Sequence, residues 1–99
     1  IDNQRYANSY TKDKFRFNHW GKYKISMMLR SKDIGNEIIE EALEQIDDEE
    51  YLEMLQQILK DKLRSLKYSS EYEKKGKLFK FAQSRGFESG AISKVIDSI

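Results

Sequence analysis

The chain contains no cysteine and no proline, only one histidine, and five isolated glycines among its 99 residues. Without cysteine there are no disulfides, no thiolate metal sites and no thiol nucleophile, which fits a reducing compartment. A single histidine, His19, cannot build a His/Cys metal site. Without proline nothing fixes φ or removes a backbone donor, so helices can run without interruption. The glycines form neither a GxGxxG nor a GxxxxGK phosphate loop. No apolar run approaches the roughly 18 residues of a membrane span, and no signal-peptide pattern opens the chain. Period-two alternation is missing too, so no sheet is expected.

What the chain has is charge and helix-forming residues. Charged residues make up 35% and hydrophobic residues 38%, a polar balance, yet 12% aromatic content argues against disorder. The length suits one domain or an array of small repeats. It begins with Ile1 rather than Met, and so reads as a piece of a longer protein. A net charge of +1 hides strong segregation. The blocks 1–35, 36–58, 59–85 and 86–99 carry +5, −9, +6 and −1. Blocks of that size create local fields even when the total is balanced.

Helical periodicity appears six times. Tyr6, Tyr10 and Phe17 fall near one face of a first helix opened by Asp2. Ile25, Met28 and Leu29 mark a second helix after Gly21. Asn36 is a good N-cap for a third, which carries Ile38, Ile39, Ala42, Leu43 and Ile46. A fourth starts at Asp47-Asp48 and carries Tyr51, Leu52, Leu55, Ile58, Leu59, Leu63 and Leu66, with acids first and bases last as the helix dipole prefers. Ser69 or Ser70 opens a fifth, which Arg85-Gly86 closes, and Ser89 can cap a sixth.

The six helices divide into two trios. Ile1–Tyr6 resembles Ile46–Tyr51 at an offset of 45, and Lys12–Arg16 resembles Lys60–Arg64 at 48. From Lys24 to Ile46 the match is with Lys77 to Ile99 at 53. Three inserted residues approximate one helical turn, and the other five fit in the connection 68–73. The expected fold is therefore all-α, with two tandem three-helix repeats, 1–45 and 46–99, in an elongated array. Neither unit can bury much surface alone, so the repeats must share a core. Trp20, Phe81, Phe87 and Ile92 are expected to hold them together.

No set of residues for chemistry emerges, and no catalytic, cofactor-binding or metal-ligating residue is assigned. Asp47, Asp48, Glu49, Glu50 and Glu53 are dense, but lack the alternating ligands and central glycine of a calcium loop. Glu40 and Glu44 sit one turn apart with nothing to split their pKa values. Two basic strips remain as partner-binding candidates. One is Lys12, Lys14, Arg16, Lys22, Lys24, Arg30 and Lys32; the other is Lys74, Lys75, Lys77, Lys80 and Arg85. Repeat pairing makes Lys24 equivalent to Lys77 and Lys32 to Arg85, placing both strips on one side. They suit nucleic-acid phosphates, as in a DNA-binding helical module acting in transcription, or an acidic protein surface. Phe15, Phe17 and Phe87 beside the arginines are read as core rather than as base-stacking platforms. No small-molecule substrate and no membrane is indicated.

The strings RYANSYTKDKFRFNHWGKYKI, IIEEALEQID, KLFKFAQSRGF and AISKVI resemble the RecX family of recombinase regulators. Arg16-Phe17-Asn18-His19-Trp20-Gly21 and Ser84-Arg85-Gly86-Phe87 are the most specific segments of a resemblance that covers nearly the whole chain. It implies tandem three-helix repeats, of which this chain resembles the second and third of three. It also implies a cytoplasmic bacterial protein that binds the RecA recombinase filament on DNA. Such a protein inhibits the recombinase and coprotease activities of the filament, and so modulates DNA repair and the SOS response. No catalytic residues come with the resemblance.

Overall fold

The computed structural model describes residues 2–99. Six helices follow one another: α1 (Asn3–Arg16), α2 (Lys22–Ser31), α3 (Asn36–Glu44), α4 (Asp48–Ser65), α5 (Glu71–Ser84) and α6 (Ser89–Ile96). There is no strand among the described residues, and no helix is long and apolar enough to cross a membrane. Helices α1–α3 pack on one another, as do α4–α6, and the two trios lie end to end in a body of 52 × 24 × 21 Å.

Three helices start where a short polar side chain can satisfy an orphan backbone donor. Asp2 accepts the N–H of Arg5 at 3.0 Å, Asp47 that of Glu50 at 3.0 Å, and Ser70 that of Glu73 at 3.1 Å. The caps expected at Asn36 and Ser89 are displaced by one residue. Gly35 and Glu88 hold the extended N-cap positions and make no side-chain cap bond, so Asn36 and Ser89 are already helical. Asn36 instead accepts from the Arg30 guanidinium at 3.2 Å.

Burial confirms the pairing of the trios at an offset of 53. Ile25, Leu29, Ile34, Ile39 and Ala42 are buried, and so are Leu78, Ala82, Phe87, Ile92 and Val95. Their turns match bond for bond. The Ile34 N–H donates to the Leu29 carbonyl at 3.2 Å, and the Phe87 N–H to that of Ala82 at 3.1 Å. Each closure passes through a left-handed residue, Asp33 at φ 62° and Gly86 at φ 93°.

Two expectations need correction. First, α1 buries Ala7, Thr11 and Phe15, not the Tyr6–Phe17 face; Tyr6 is exposed, Tyr10 half-buried, and Phe17 78% exposed. Second, connections 17–21 and 66–70 are equally long, so the inserted residues do not sit in a loop. They lengthen the helices, because α4 has 18 residues against 14 in α1, and α5 has 14 against 10 in α2. Adding whole turns keeps each buried face in register.

Thr11 is fully buried at the position that Leu59 holds in the second trio, and its hydroxyl has no hydrogen-bond partner. A buried hydroxyl without a partner carries an uncompensated desolvation cost. Thr11→Val is therefore expected to raise unfolding free energy by about 1 kcal/mol, and urea denaturation with an unchanged slope would check it.

The trios meet through turns rather than through packed helix faces. The Gly21 N–H donates to the Arg85 carbonyl at 2.8 Å and the Tyr23 N–H to the Gly86 carbonyl at 3.0 Å. A Cβ on Gly21 would run into the Gly86 carbonyl group, and one on Gly86 into the Cβ and backbone of Lys24. The aromatic ring of Tyr51, in the first turn of α4, lies between those of Phe15 and Phe87, with centroids 5.8 and 5.1 Å away. Its hydroxyl accepts the Lys22 N–H at 2.9 Å and donates to the Glu88 carboxylate. Phe87 thus holds the repeats together as expected. Ile92 belongs to the core of its own trio, while Trp20 and Phe81 are half-buried beneath lysines.

Candidate partner-binding surface

Local helix geometry explains the first basic strip. Tyr10 and Lys14 are one turn apart on α1, and the chain then reverses at Asn18-His19 to bring Trp20 and α2 alongside. Lys14 Nζ lies 5.4 Å from the Tyr10 ring centroid and 5.0 Å from that of Trp20. Lys24 covers the Trp20 ring at 4.7 Å, and Lys32 approaches Tyr10 at 5.7 Å. The negative faces of the rings hold these ammonium groups, each contact being worth about 0.5–1 kcal/mol at an exposed site. A ring steadies a cation without cancelling its charge. Among the described residues none of the three lysines has a carboxylate partner, so their positive field reaches solvent.

Other members of this strip divide between solvent and the junction. Lys12 is exposed without an ion pair among the described residues, and exposed Arg30 donates to Asn36. Arg16 faces Glu50 at 4.0 Å, and Lys22 lies 3.8 Å from Asp48 and 4.7 Å from the Tyr51 ring. Part of the acidic block thereby meets basic residues of the preceding repeat. These pairs are solvent-exposed, and each contributes little on its own.

The second strip is largely engaged within the chain. Lys74 is buried, with Nζ 3.2 Å from both the Ile99 carbonyl and Glu71. Lys75 pairs with Asp97 at 2.9 Å, tying α5 to the turn after α6, and this bond raises the pKa of the lysine. Lys77 bridges Glu73 at 3.1 Å and the Lys67 carbonyl at 2.7 Å, and together with Ser69 it lowers the Glu73 pKa. Arg85 donates to the Asn18 carbonyl at 2.5 Å across the junction. Of this strip, only Lys80 is exposed without an ion-pair partner among the described residues. Lys24 and Lys77 are equivalent in the repeat but not in surroundings. One rests on an aromatic ring and the other is neutralised by a carboxylate.

Sequence reasoning missed the aromatic seats. The i, i+4 spacing of Tyr10 and Lys14 was the available signal. Among the described residues no group of acids or histidine is arranged to hold a metal ion.

Two adjoining family models cover almost all of this architecture. The RecX second three-helix domain matches residues 2–43, and the RecX third three-helix domain matches residues 48–96. The chain belongs to the RecX family. It is 33% identical over 98 residues to a regulatory protein RecX of Clostridium botulinum (strain Eklund 17B / Type B), covering 97% of this chain and 45% of that protein. A regulatory protein RecX of Chlorobium phaeobacteroides (strain BS1) is 33% identical over 99 residues, covering 100% and 63%. A crystal structure of regulatory protein RecX superposes with a TM-score of 0.87 at 27% identity, over 98% of this chain and 49% of that one. The chain thus spans about half the length of several RecX relatives. RecX is a family of regulatory proteins, and both trios described above are RecX three-helix domains.

Proposed function

We propose that this RecX chain acts in the cytoplasm as part of a regulator that binds the RecA recombinase filament and inhibits its recombinase and coprotease activities. The observation that carries this reading is the row of unpaired lysines, Lys14, Lys24 and Lys32, seated on Tyr10 and Trp20 along one repeat of a 52 Å body. A long body with its cations held in place can lie along a filament of repeating subunits. Its positive field would steer it toward a surface bearing anionic DNA or acidic side chains. Lys12, Arg30 and Lys80, exposed and free of ion pairs among the described residues, add to the positive field. Arg16, Lys22 and Arg85 act chiefly by holding the two repeat units, 1–45 and 46–99, in one orientation, whereas Lys74, Lys75 and Lys77 brace the second unit internally.

The test titrates recombinase filaments on single-stranded DNA with this chain and follows ATP hydrolysis and LexA cleavage. The combined variant Lys14→Gln, Lys24→Gln, Lys32→Gln is expected to need at least about tenfold more protein for half-inhibition, with its unfolding midpoint nearly unchanged, as follows when charge governs association. Equal potency of the variant and the parent chain would remove the lysine row from the proposal.

A further inference from the structure

Helix α5 carries an apolar stripe that the fold leaves uncovered. One face of the helix, with Leu78 and Ala82, is buried in the second trio. On another stand Tyr72, Gly76, Phe79 and Gln83, at spacings of four, three and four. That is the spacing at which one helix lies along a second. Tyr72 is 90% exposed, in the extra turn that makes α5 longer than α2. Phe79 and Ile96 of α6, both half-buried, line a groove of about 540 Å³ together with Tyr72, Gly76 and Lys80.

Gly76 has no explanation inside the fold. It lies within α5, its φ is not left-handed, and nothing stands within 4 Å of where a Cβ would be. Glycine there weakens the helix without serving an internal contact. In the first trio the matching position, at the offset of 53, is Tyr23, whose side chain is exposed on α2. The second trio thus has a notch where the first has an aromatic side chain, and glycine suits a place where another molecule must come close.

The charge left over around this groove is positive. Glu73 is spent on Lys77 at 3.1 Å, and Lys75 on Asp97 at 2.9 Å. Lys80, exposed next to Phe79 in the chain, has no carboxylate partner among the described residues. A helix with acidic residues beside an apolar ridge would match both the stripe and this cation. The 14 residues of α5 span about 21 Å, long enough for roughly four turns of such a helix.

We infer that the α5–α6 groove docks an acidic amphipathic helix of a partner protein, with an apolar side chain seated over Gly76 between Tyr72 and Phe79, and an acidic one against Lys80. The groove belongs to the second trio and the row of Lys14, Lys24 and Lys32 to the first, so the two contacts can be tested apart.

The experiment follows the anisotropy of two labelled synthetic peptides of about 15 residues, long enough to form a helix, as the full chain is added. Both carry leucine at the stripe spacing; one is flanked by glutamate and the other by lysine. The glutamate peptide is expected to bind at least about tenfold more tightly. Gly76→Gln, which fills the notch with a good helix former, is expected to weaken that binding about five- to tenfold while melting no lower than the parent. A glycine with only a structural role would move the melt and not the binding. Lys80→Glu should erase the preference for the glutamate peptide. The combined Lys14→Gln, Lys24→Gln, Lys32→Gln variant should bind it within about twofold of the parent, as distant sites act independently. No binding of the glutamate peptide, equal binding of the two peptides, or unchanged affinity in both Gly76→Gln and Lys80→Glu would overturn the site. Loss confined to the triple-lysine variant would overturn it too, since the peptide would then sit on the first trio. Should Gly76→Gln melt lower than the parent, Lys80→Glu, at an exposed position, decides alone.

Discussion

Gly86→Ala is expected to destabilise the chain by about 3 kcal/mol or more, through two costs that add. Holding an L-residue in the left-handed region costs about 1–2 kcal/mol, and Gly86 sits at φ 93°. The new Cβ would also strike the Cβ and backbone of Lys24, and overpacking of this kind costs about 1–3 kcal/mol. Backbone cannot move aside as a flexible side chain can, so the repeats would have to part. Gly76→Ala provides the opposite control. Gly76 lies inside α5 with open space where a Cβ would stand, so alanine there should stabilise by about 1 kcal/mol through helix propensity. Urea or thermal unfolding of both variants reads the contrast directly. A Gly86→Ala chain as stable as the parent would contradict the close approach at the junction.

The second large effect concerns Tyr51. Removing its ring by Tyr51→Ala is expected to cost about 3–5 kcal/mol, as for a buried aromatic in a filled core, because Phe15 and Phe87 lose the ring between them. Tyr51→Phe keeps the ring but deprives the Lys22 N–H of its acceptor and Glu88 of its donor. That should cost about 1–3 kcal/mol. Burial, then the hydrogen bond to Glu88, pushes the Tyr51 pKa up, so the phenol stays protonated in the fold. In the unfolded chain it ionises near pH 10. Above that pH the folded state holds more protons than the unfolded state, so stability falls as pH rises. The contribution is whole below about pH 10 and is lost above it. Lys75, raised by Asp97, adds a loss in the same alkaline range. Tyr51→Phe should therefore show a shallower alkaline decline in unfolding free energy than the parent chain, and identical slopes would count against a buried, protonated Tyr51.

Much of the repeat was legible in the sequence because large aliphatic residues announce their own burial. Ile25, Leu29, Ile34 and Ile39 repeat as Leu78, Ala82, Phe87 and Ile92, and all are buried. The face of α1 was not legible for the complementary reason. Ala7 and Thr11 are small and weakly apolar, while Tyr6, Tyr10 and Phe17 are aromatic and more exposed, so the larger side chains pointed to the wrong stripe. Caps at Asn36 and Ser89 failed because glycine and glutamate adopted the extended position one residue earlier.

The binding surface was half legible. Composition shows where lysines are, but whether one is spent depends on partners distant in the chain. The Lys74 ammonium meets a carbonyl at Ile99, and Arg85 reaches back to Asn18. The junction was hidden most completely, since it depends on two glycines 65 positions apart whose value lies in what they lack.

The two backbone hydrogen bonds from Gly21 and Tyr23 run side by side across this seam, with one aromatic ring as backing. Tension applied along the 52 Å axis would have to pass through that narrow clasp, whereas within each trio the load is shared by three helices. The molecule is thus built like two stiff links and one pin. Under pulling, the pin should yield before either link unravels.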